Sequence, residues 1–214
     1  MMNEALATML TEGICAVLRH IPADPLQSLV EALAEGGIHS VEVTLNTDGA
    51  YEMIHRLSTL PNIVVGAGTV VDGEGAERAL DAGAKFLVSP HTRERVWKVG
   101  ERHGIPTVPG ACTPTEIFRA YEMGASLIKV FPANVVGPRF FHEMRGPYSH
   151  LTYMATGGIN ESNIMDFIMA GVSVVGVGSS LFSLDDIHRQ DWKHISDVSQ
   201  NFVSRVQEAR GRTQ

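Results

Sequence analysis

The chain holds four lysines, Lys85, Lys98, Lys129 and Lys193. Only Lys129 falls high in a short apolar run, Leu127-Ile128-Lys129-Val130-Phe131; Lys85 opens such a run, and Lys98 and Lys193 lie in helix-like segments. Side chains along a strand alternate between its two faces. Ile128 and Val130 suit an outward, helix-covered face, which turns Leu127, Lys129 and Phe131 inward. In Ser40-Val41-Glu42-Val43-Thr44 the same rule sends Val41 and Val43 outward and Ser40, Glu42 and Thr44 inward. One lysine and one glutamate therefore point into an interior where a charge is unstable unless it is paired or functional. A structural ion pair inside a barrel is one account of them, and Schiff-base chemistry is the other. A free lysine titrates at about 10.4, so at neutral pH it is almost wholly ammonium. Desolvation favours the neutral amine, while a nearby carboxylate opposes that change. A neutral amine attacks a ketone, and the iminium formed is an electron sink that lets a C–C bond β to the nitrogen break or form. Lys129 is read as the Schiff-base lysine. Glu42 is read as the general acid/base that moves protons at the carbinolamine and enamine stages.

Two glycine turns add an anion site. Thr156-Gly157-Gly158-Ile159-Asn160 follows one apolar run and Gly176-Val177-Gly178-Ser179-Ser180 closes another. Glycine lets backbone N–H groups approach an anion closely, and the start of a following helix adds its positive end. Tight structural corners would also use glycine. The pair in these two places predicts a phosphate or similar anionic head, held by Thr156, Gly157, Gly158, Gly178, Ser179 and Ser180.

The elements that must position these residues alternate along the chain. Runs at Ile14–Leu18, Ser40–Thr44, Ile63–Ala67, Lys85–Ser89, Pro106–Val108, Leu127–Phe131, Thr152–Ala155 and Val174–Val177 read as eight buried parallel strands. Between them lie amphipathic segments. Asp24-Pro25, Thr113-Pro114 with Glu116, and Asn160-Glu161 read as helix starts, and Gly37, Gly83, Gly124 and Gly171 as helix ends. A helix from Asn3 to Thr11 precedes the first strand, and one long helix from about Asp186 to Arg210 closes the chain. The order predicts an α/β fold, a (β/α)8 TIM barrel with an extra N-terminal helix, forming one domain over residues 1–214. Function in such barrels sits at the carboxyl ends of the strands, and phosphate at the last two. A doubly wound sheet is the rival architecture. It usually has a glycine-rich turn after its first strand, where this chain has Arg19-His20-Ile21-Pro22.

Composition narrows the partners. At 44% hydrophobic and 19% charged, usage is that of a globular chain. A net charge of −7 provides no basic field for nucleic acid, and no apolar stretch is long enough for a membrane span. The first thirteen residues, carrying Glu4 and Glu12, do not read as a signal peptide. Two cysteines, Cys15 and Cys112, match no zinc spacing and suit reduced thiols in a cytoplasm. The nine histidines scatter, with only His20 and His91 near the functional end, so no metal site is expected.

Val41-Glu42-Val43-Thr44-Leu45, Gly66-Ala67-Gly68-Thr69-Val70, Ser89-Pro90, Pro109-Gly110, Ile128-Lys129-Val130-Phe131-Pro132-Ala133 and Thr156-Gly157-Gly158-Ile159 occur in the order seen in one family. From about Gly13 to Leu181 the chain resembles the 2-keto-3-deoxy-6-phosphogluconate/4-hydroxy-2-oxoglutarate aldolases. The resemblance implies a class I aldolase that needs no metal or other cofactor and is usually a homotrimer. Its partners are small molecules, pyruvate and an aldehyde such as glyceraldehyde 3-phosphate or glyoxylate. It assigns Lys129 to the Schiff base and Glu42 to proton transfer. It implies that Thr69, Pro90 and Phe131 line the pyruvate pocket, and that Gly157, Gly158 and Ser180 hold phosphate. Many members carry Arg after the Glu-Val-Thr-Leu segment, where this chain has Asn46. The branch resembling 2-keto-3-deoxy-6-phosphogalactonate aldolases has Asn there and Arg after its first strand, which matches Arg19 and gives it the carboxylate role. Asn134 departs from the commoner Glu and reads equally as a contact to distal hydroxyls or as a turn residue. A phosphosugar isomerase or epimerase with Glu42 as its base, and a non-catalytic sugar-phosphate-binding barrel, are the rival functions.

Overall fold

The structure, a computed structural model, describes residues 3–213. Its strands are β1 (Ile14–Leu18), β2 (Ser40–Thr44), β3 (Val64–Gly68), β4 (Leu87–Val88), β5 (Thr107–Val108), β6 (Gly110–Ala111), β7 (Ile128–Val130), β8 (Tyr153–Thr156) and β9 (Val174–Val177). All pairs are parallel, in the order β5-β4-β3-β2-β1-β9-β8-β7-β6. The two ends of that ladder, β5 and β6, are halves of one stave interrupted by Pro109. Proline has no N–H to give a ladder, but its carbonyl still accepts from Lys129 N–H at 2.9 Å, and Val108 O accepts from Ser89 N–H at 3.1 Å. The stave is thus bonded on both sides. The result is the predicted (β/α)8 barrel, with its fifth strand in two pieces.

Helices α1 (Glu4–Glu12), α2 (Leu26–Glu35), α3 (Ala50–Ser58), α4 (Gly73–Asp81), α5 (Glu94–His103), α6 (Pro114–Glu122), α7 (Ala133–Arg145), α8 (Ile164–Met169), α9 (Leu184–His188) and α10 (Trp192–Thr213) alternate with the strands. Four of them leave by one repeated joint. Gly37, Gly83, Gly124 and Gly171 all have φ between 92° and 103°, a region only glycine enters freely. The next residues, Ile38, Ala84, Ala125 and Val172, donate N–H to Leu33, Ala79, Ala120 and Phe167 carbonyls. This six-to-one bond is the Schellman closure, and the residue that makes it runs on toward the next strand.

Three predicted boundaries are corrected. Asp24 does not cap α2; the helix begins at Leu26 behind Pro25, whose side chain caps nothing. Asn160 caps a turn ahead of α8, accepting from Ser162 N–H at 2.9 Å, and the helix starts at Ile164. The single C-terminal helix is two, α9 and α10, broken at Gln190 with φ 54°. The Thr113–Glu116 capping box is present as read. Three hydrogen bonds, first from Cys112 N–H and then from Thr113, hold the Glu116 carboxyl below its usual range.

Two apolar layers result. Outward residues of the strands, such as Ile14, Val41, Val43, Ile128 and Val130, pack against the helices, with Trp97 and Trp192 at the margin. Inside the barrel, Cys15, Phe86, Val88, Val108, Leu127, Met154 and Val174 form a plug capped by Ala5, Leu6 and Met9 of α1. The extra helix therefore closes the amino-terminal mouth. The Glu12 carboxylate, at its end, accepts from the His39 and Ser40 backbone N–H groups and lies 2.9 Å from His39 Nδ1. Those contacts tie the end of α1 to the start of β2. Hydrocarbon thus fills most of the lower barrel, with buried Ser40 at the start of β2 an inward polar exception.

Candidate active site

Glu42 and Lys129 enter the barrel from β2 and β7, as strand alternation predicts. Glu42 is wholly buried and the Lys129 side chain is 4% exposed. Lys129 Nζ stands 3.7 Å from Glu42 Oε1, beyond a hydrogen bond. Neither Glu42 oxygen has a hydrogen-bond partner among the described residues. A buried carboxylate left with free lone pairs is costly for stability, but it is free to take or give a proton. Its charge is felt nearby: burial pushes the Cys15 thiol well up, and the Glu42 carboxylate adds to the effect. Room for Glu42 comes from Gly68, where a Cβ would overlap its Oε1. Gly68→Ala should displace the carboxylate and lower kcat on the order of a hundredfold, the usual cost of about 1 Å of misplacement. Unchanged kcat in that variant would show that Glu42 needs no such placement.

The other expected residues gather around this pair. Phe131 directly follows β7, and its ring centroid lies 5.5 Å from Lys129 Nζ. Gly157, at φ 103°, would put a Cβ 3.4 Å from the Phe131 ring. Pro90 backs Gly110, the register partner of Lys129; a Cβ at Gly110 would overlap the Pro90 backbone. Arg19 reaches from the end of β1 to Thr69 at the end of β3, with Nη2 3.2 Å from Oγ1. Thr69 has φ 55°, a strained value for a β-branched residue.

A cleft of about 780 Å³ opens at this end of the barrel. Arg19, Phe131, Thr156, Gly157, Gly158, Gly178, Ser179 and Ser180 all line it. Lys129, Glu42, Thr69 and Pro90 are not on its lining; Phe131 connects Lys129 to it and Arg19 connects Thr69. Thr156 is 7% exposed, and its hydroxyl has no partner among the described residues. Ser180 Oγ donates to Ile159 O at 2.9 Å, which ties one glycine turn to the other. Asn163 Nδ2 braces the first turn by donating to Gly158 O at 2.8 Å. Asn134 lies behind that turn: its N–H donates to Gly157 O, and a Cβ at Gly158 would overlap its side chain. Among the described residues no three His, Cys, Asp or Glu side chains gather into a metal site.

Sequence reasoning placed His20 near the functional end but did not single out Phe182, Ser183, Leu184 or Asp185 as part of this wall. The last four follow the second glycine turn directly. That position, after the eighth stave, was the available signal. Among the described residues no helix is long and apolar enough to cross a membrane.

Comparison with known proteins agrees with this geometry. The family model described as KDPG and KHG aldolase matches residues 6–198. A probable 2-dehydro-3-deoxy-6-phosphogalactonate aldolase of Rhizobium meliloti is 34% identical, over 79% of this chain and 81% of its own. A 2-dehydro-3-deoxy-phosphogluconate aldolase of Treponema pallidum is 35% identical, over 83% and 86%. The crystal structure of a KDPG aldolase from Legionella pneumophila, with pyruvate captured as a covalent carbinolamine, superposes with TM-score 0.85 at 29% identity, over 92% of this chain and 97% of that one. A buried lysine and glutamate in one barrel, beneath a cleft edged by two glycine turns, thus accompany a family match over most of the chain, and the chain belongs to the KDPG and KHG aldolase family, a family of carbon–carbon lyases.

Proposed function

We propose that this chain is a class I aldolase. Its reaction is cleavage of a 2-keto-3-deoxy-6-phospho-sugar acid, KDPG or KDPGal, to pyruvate and glyceraldehyde 3-phosphate, with 4-hydroxy-2-oxoglutarate, giving pyruvate and glyoxylate, as a second substrate. The observation that carries this reading is the buried Lys129 amine 3.7 Å from an otherwise unpartnered carboxylate. The neutral amine adds to the C2 ketone, and loss of water from the carbinolamine gives an iminium. A base removes the C4 hydroxyl proton, the C3–C4 bond breaks, and its electron pair moves into the iminium as an enamine. The aldehyde leaves. Protonation at C3 and hydrolysis then release pyruvate and restore the lysine. Glu42 lies close enough to Lys129 to supply and collect these protons.

Arg19 and Thr69 are proposed to hold the pyruvate carboxylate, since a guanidinium can meet a carboxylate with two hydrogen bonds. Pro90 and Phe131 would wall the pyruvate pocket. Thr156, Gly157, Gly158, Gly178, Ser179 and Ser180 would hold the phosphate end, where Ser180 joins the two glycine turns on one wall of the cleft. Arg19→Ala should raise the KM for pyruvate roughly tenfold or more, the loss of a charge-assisted hydrogen bond. Normal KM and turnover would remove Arg19 from this role. The free Cys15 and Cys112 thiols support a cytoplasmic setting. The resemblance to homotrimeric aldolases supports a trimer, to be read from the mass in solution.

The deciding experiment is intact mass after incubation with pyruvate and borohydride. A reduced pyruvyl adduct is expected. Its absence would sink the aldolase reading and favour a phosphosugar isomerase or a binding protein.

A further inference from the structure

Four non-glycine residues with left-handed backbone occur among the described residues: His20 at φ 52°, Asn62 at 63°, Thr69 at 55° and Gln190 at 54°. Asn62 and Gln190 are amides in the short turns from α3 to β3 and from α9 to α10. His20 and Thr69 follow barrel strands β1 and β3 at their carboxyl ends, and Arg19 reaches between them. Strain held at one end of a barrel points to use. At Thr69 that use is the Arg19 contact. At His20 the backbone is pinned, its N–H donating to Thr47 Oγ1 at 3.0 Å, which in turn lies 3.0 Å from Thr44 Oγ1. Glycine would adopt this backbone without strain. What position 20 keeps by not being glycine is an exposed imidazole on the cleft wall.

The groups that share the cleft with the imidazole include a cation, two hydroxyls and one carboxylate. Arg19 is its neighbour, and Ser179, Ser180 and Asp185 share the cleft. The ends of β1 and β9 touch: a Cβ at Gly178 would lie 3.3 Å from Val17 O. The Gly178–Ser180 turn is therefore one stave away. Asn46 Nδ2 lies 3.5 Å from His20 Nε2. With that amide donating, the ring proton sits on Nδ1 and is available to an acceptor. We propose that His20 is a specificity-determining residue for the aldehyde piece, hydrogen-bonding the anionic head of that piece beside the second glycine turn. This rests on the aldolase reading above.

The test compares the native chain with His20→Gly and His20→Asn in the addition of pyruvate to D-glyceraldehyde 3-phosphate and to D-glyceraldehyde. Heat stability and borohydride trapping of pyruvate are followed alongside. His20→Gly should be at least as heat-stable as the native chain and trap pyruvate normally. Its KM for the phosphorylated aldehyde should rise on the order of tenfold with kcat kept, while its KM for D-glyceraldehyde stays put. Asn tolerates the left-handed backbone and carries an N–H donor, so His20→Asn should recover most of the loss. An unmoved KM for the phosphorylated aldehyde, an equal rise for both aldehydes, or no recovery in His20→Asn would each overturn the proposal. A native chain that traps no pyruvate would overturn the aldolase reading instead, so the two failures are distinct.

Discussion

Lys129→Ala should give no pyruvyl adduct after borohydride and no measurable aldol cleavage, while the native chain should give both. The expectation follows from position. Of the four lysines, Lys85 is exposed ahead of β4, Lys98 pairs with Glu94 on α5, and Lys193 pairs with Asp197 on α10. None of these faces the barrel interior. The variant also leaves Glu42 buried without its counter-ion. Breaking a buried pair from one side typically costs about 3–5 kcal/mol, so Lys129→Ala should melt earlier than the native chain. Lys129→Met refills the volume and separates the two effects: it should trap no pyruvate even at temperatures where circular dichroism shows it fully folded. An adduct that persists in either variant would place the nucleophile elsewhere and end the assignment.

Glu42→Gln keeps the shape of the side chain and removes its ability to carry a proton. Turnover should fall by about 10²–10⁴, the usual contribution of a positioned acid/base. The adduct should still form, though more slowly, because the amine is intact and the loss of a neighbouring carboxylate favours its neutral form, while the dehydration step loses its proton carrier. The separation of trapping from turnover is the signature sought. If kcat stays at the native value, the protons travel by another route and the unpartnered carboxylate is a structural feature only. If trapping vanishes with turnover in a folded variant, Glu42 is needed to form the adduct as well as to break the carbon–carbon bond.

The interior pair was legible because strand alternation is a local rule: Val41 and Val43 claim the helix side, which leaves Glu42 nowhere else to point, and Ile128 and Val130 do the same for Lys129. The repeated glycine joints were legible for the same reason, since a left-handed residue at a helix end is set by its immediate neighbours. Helix starts were read less well. Asp24 and Asn160 are capping types, but Asn160 caps a turn ahead of its helix and Asp24 caps none. A capping side chain bonds whichever backbone N–H the local turn presents, and composition does not say which.

What the sequence alone determined was the order of elements, the side to which each strand side chain points, and so the inward Lys129 and Glu42 and the places of the two glycine turns. All of these follow from periodicity and from the backbone freedom of single residues. What only the tertiary structure decided was distance. Barrel closure through a stave split at Pro109, the plugging of the lower mouth by α1, the room that Gly68 leaves for Glu42, and the meeting of the β1 end with the turn after β9 all join residues far apart in the chain. Such contacts come from packing the whole barrel, and no local pattern encodes them. The strained His20 belongs with them, because its conformation is held by Thr47 in the turn after β2 and its use depends on what shares the cleft.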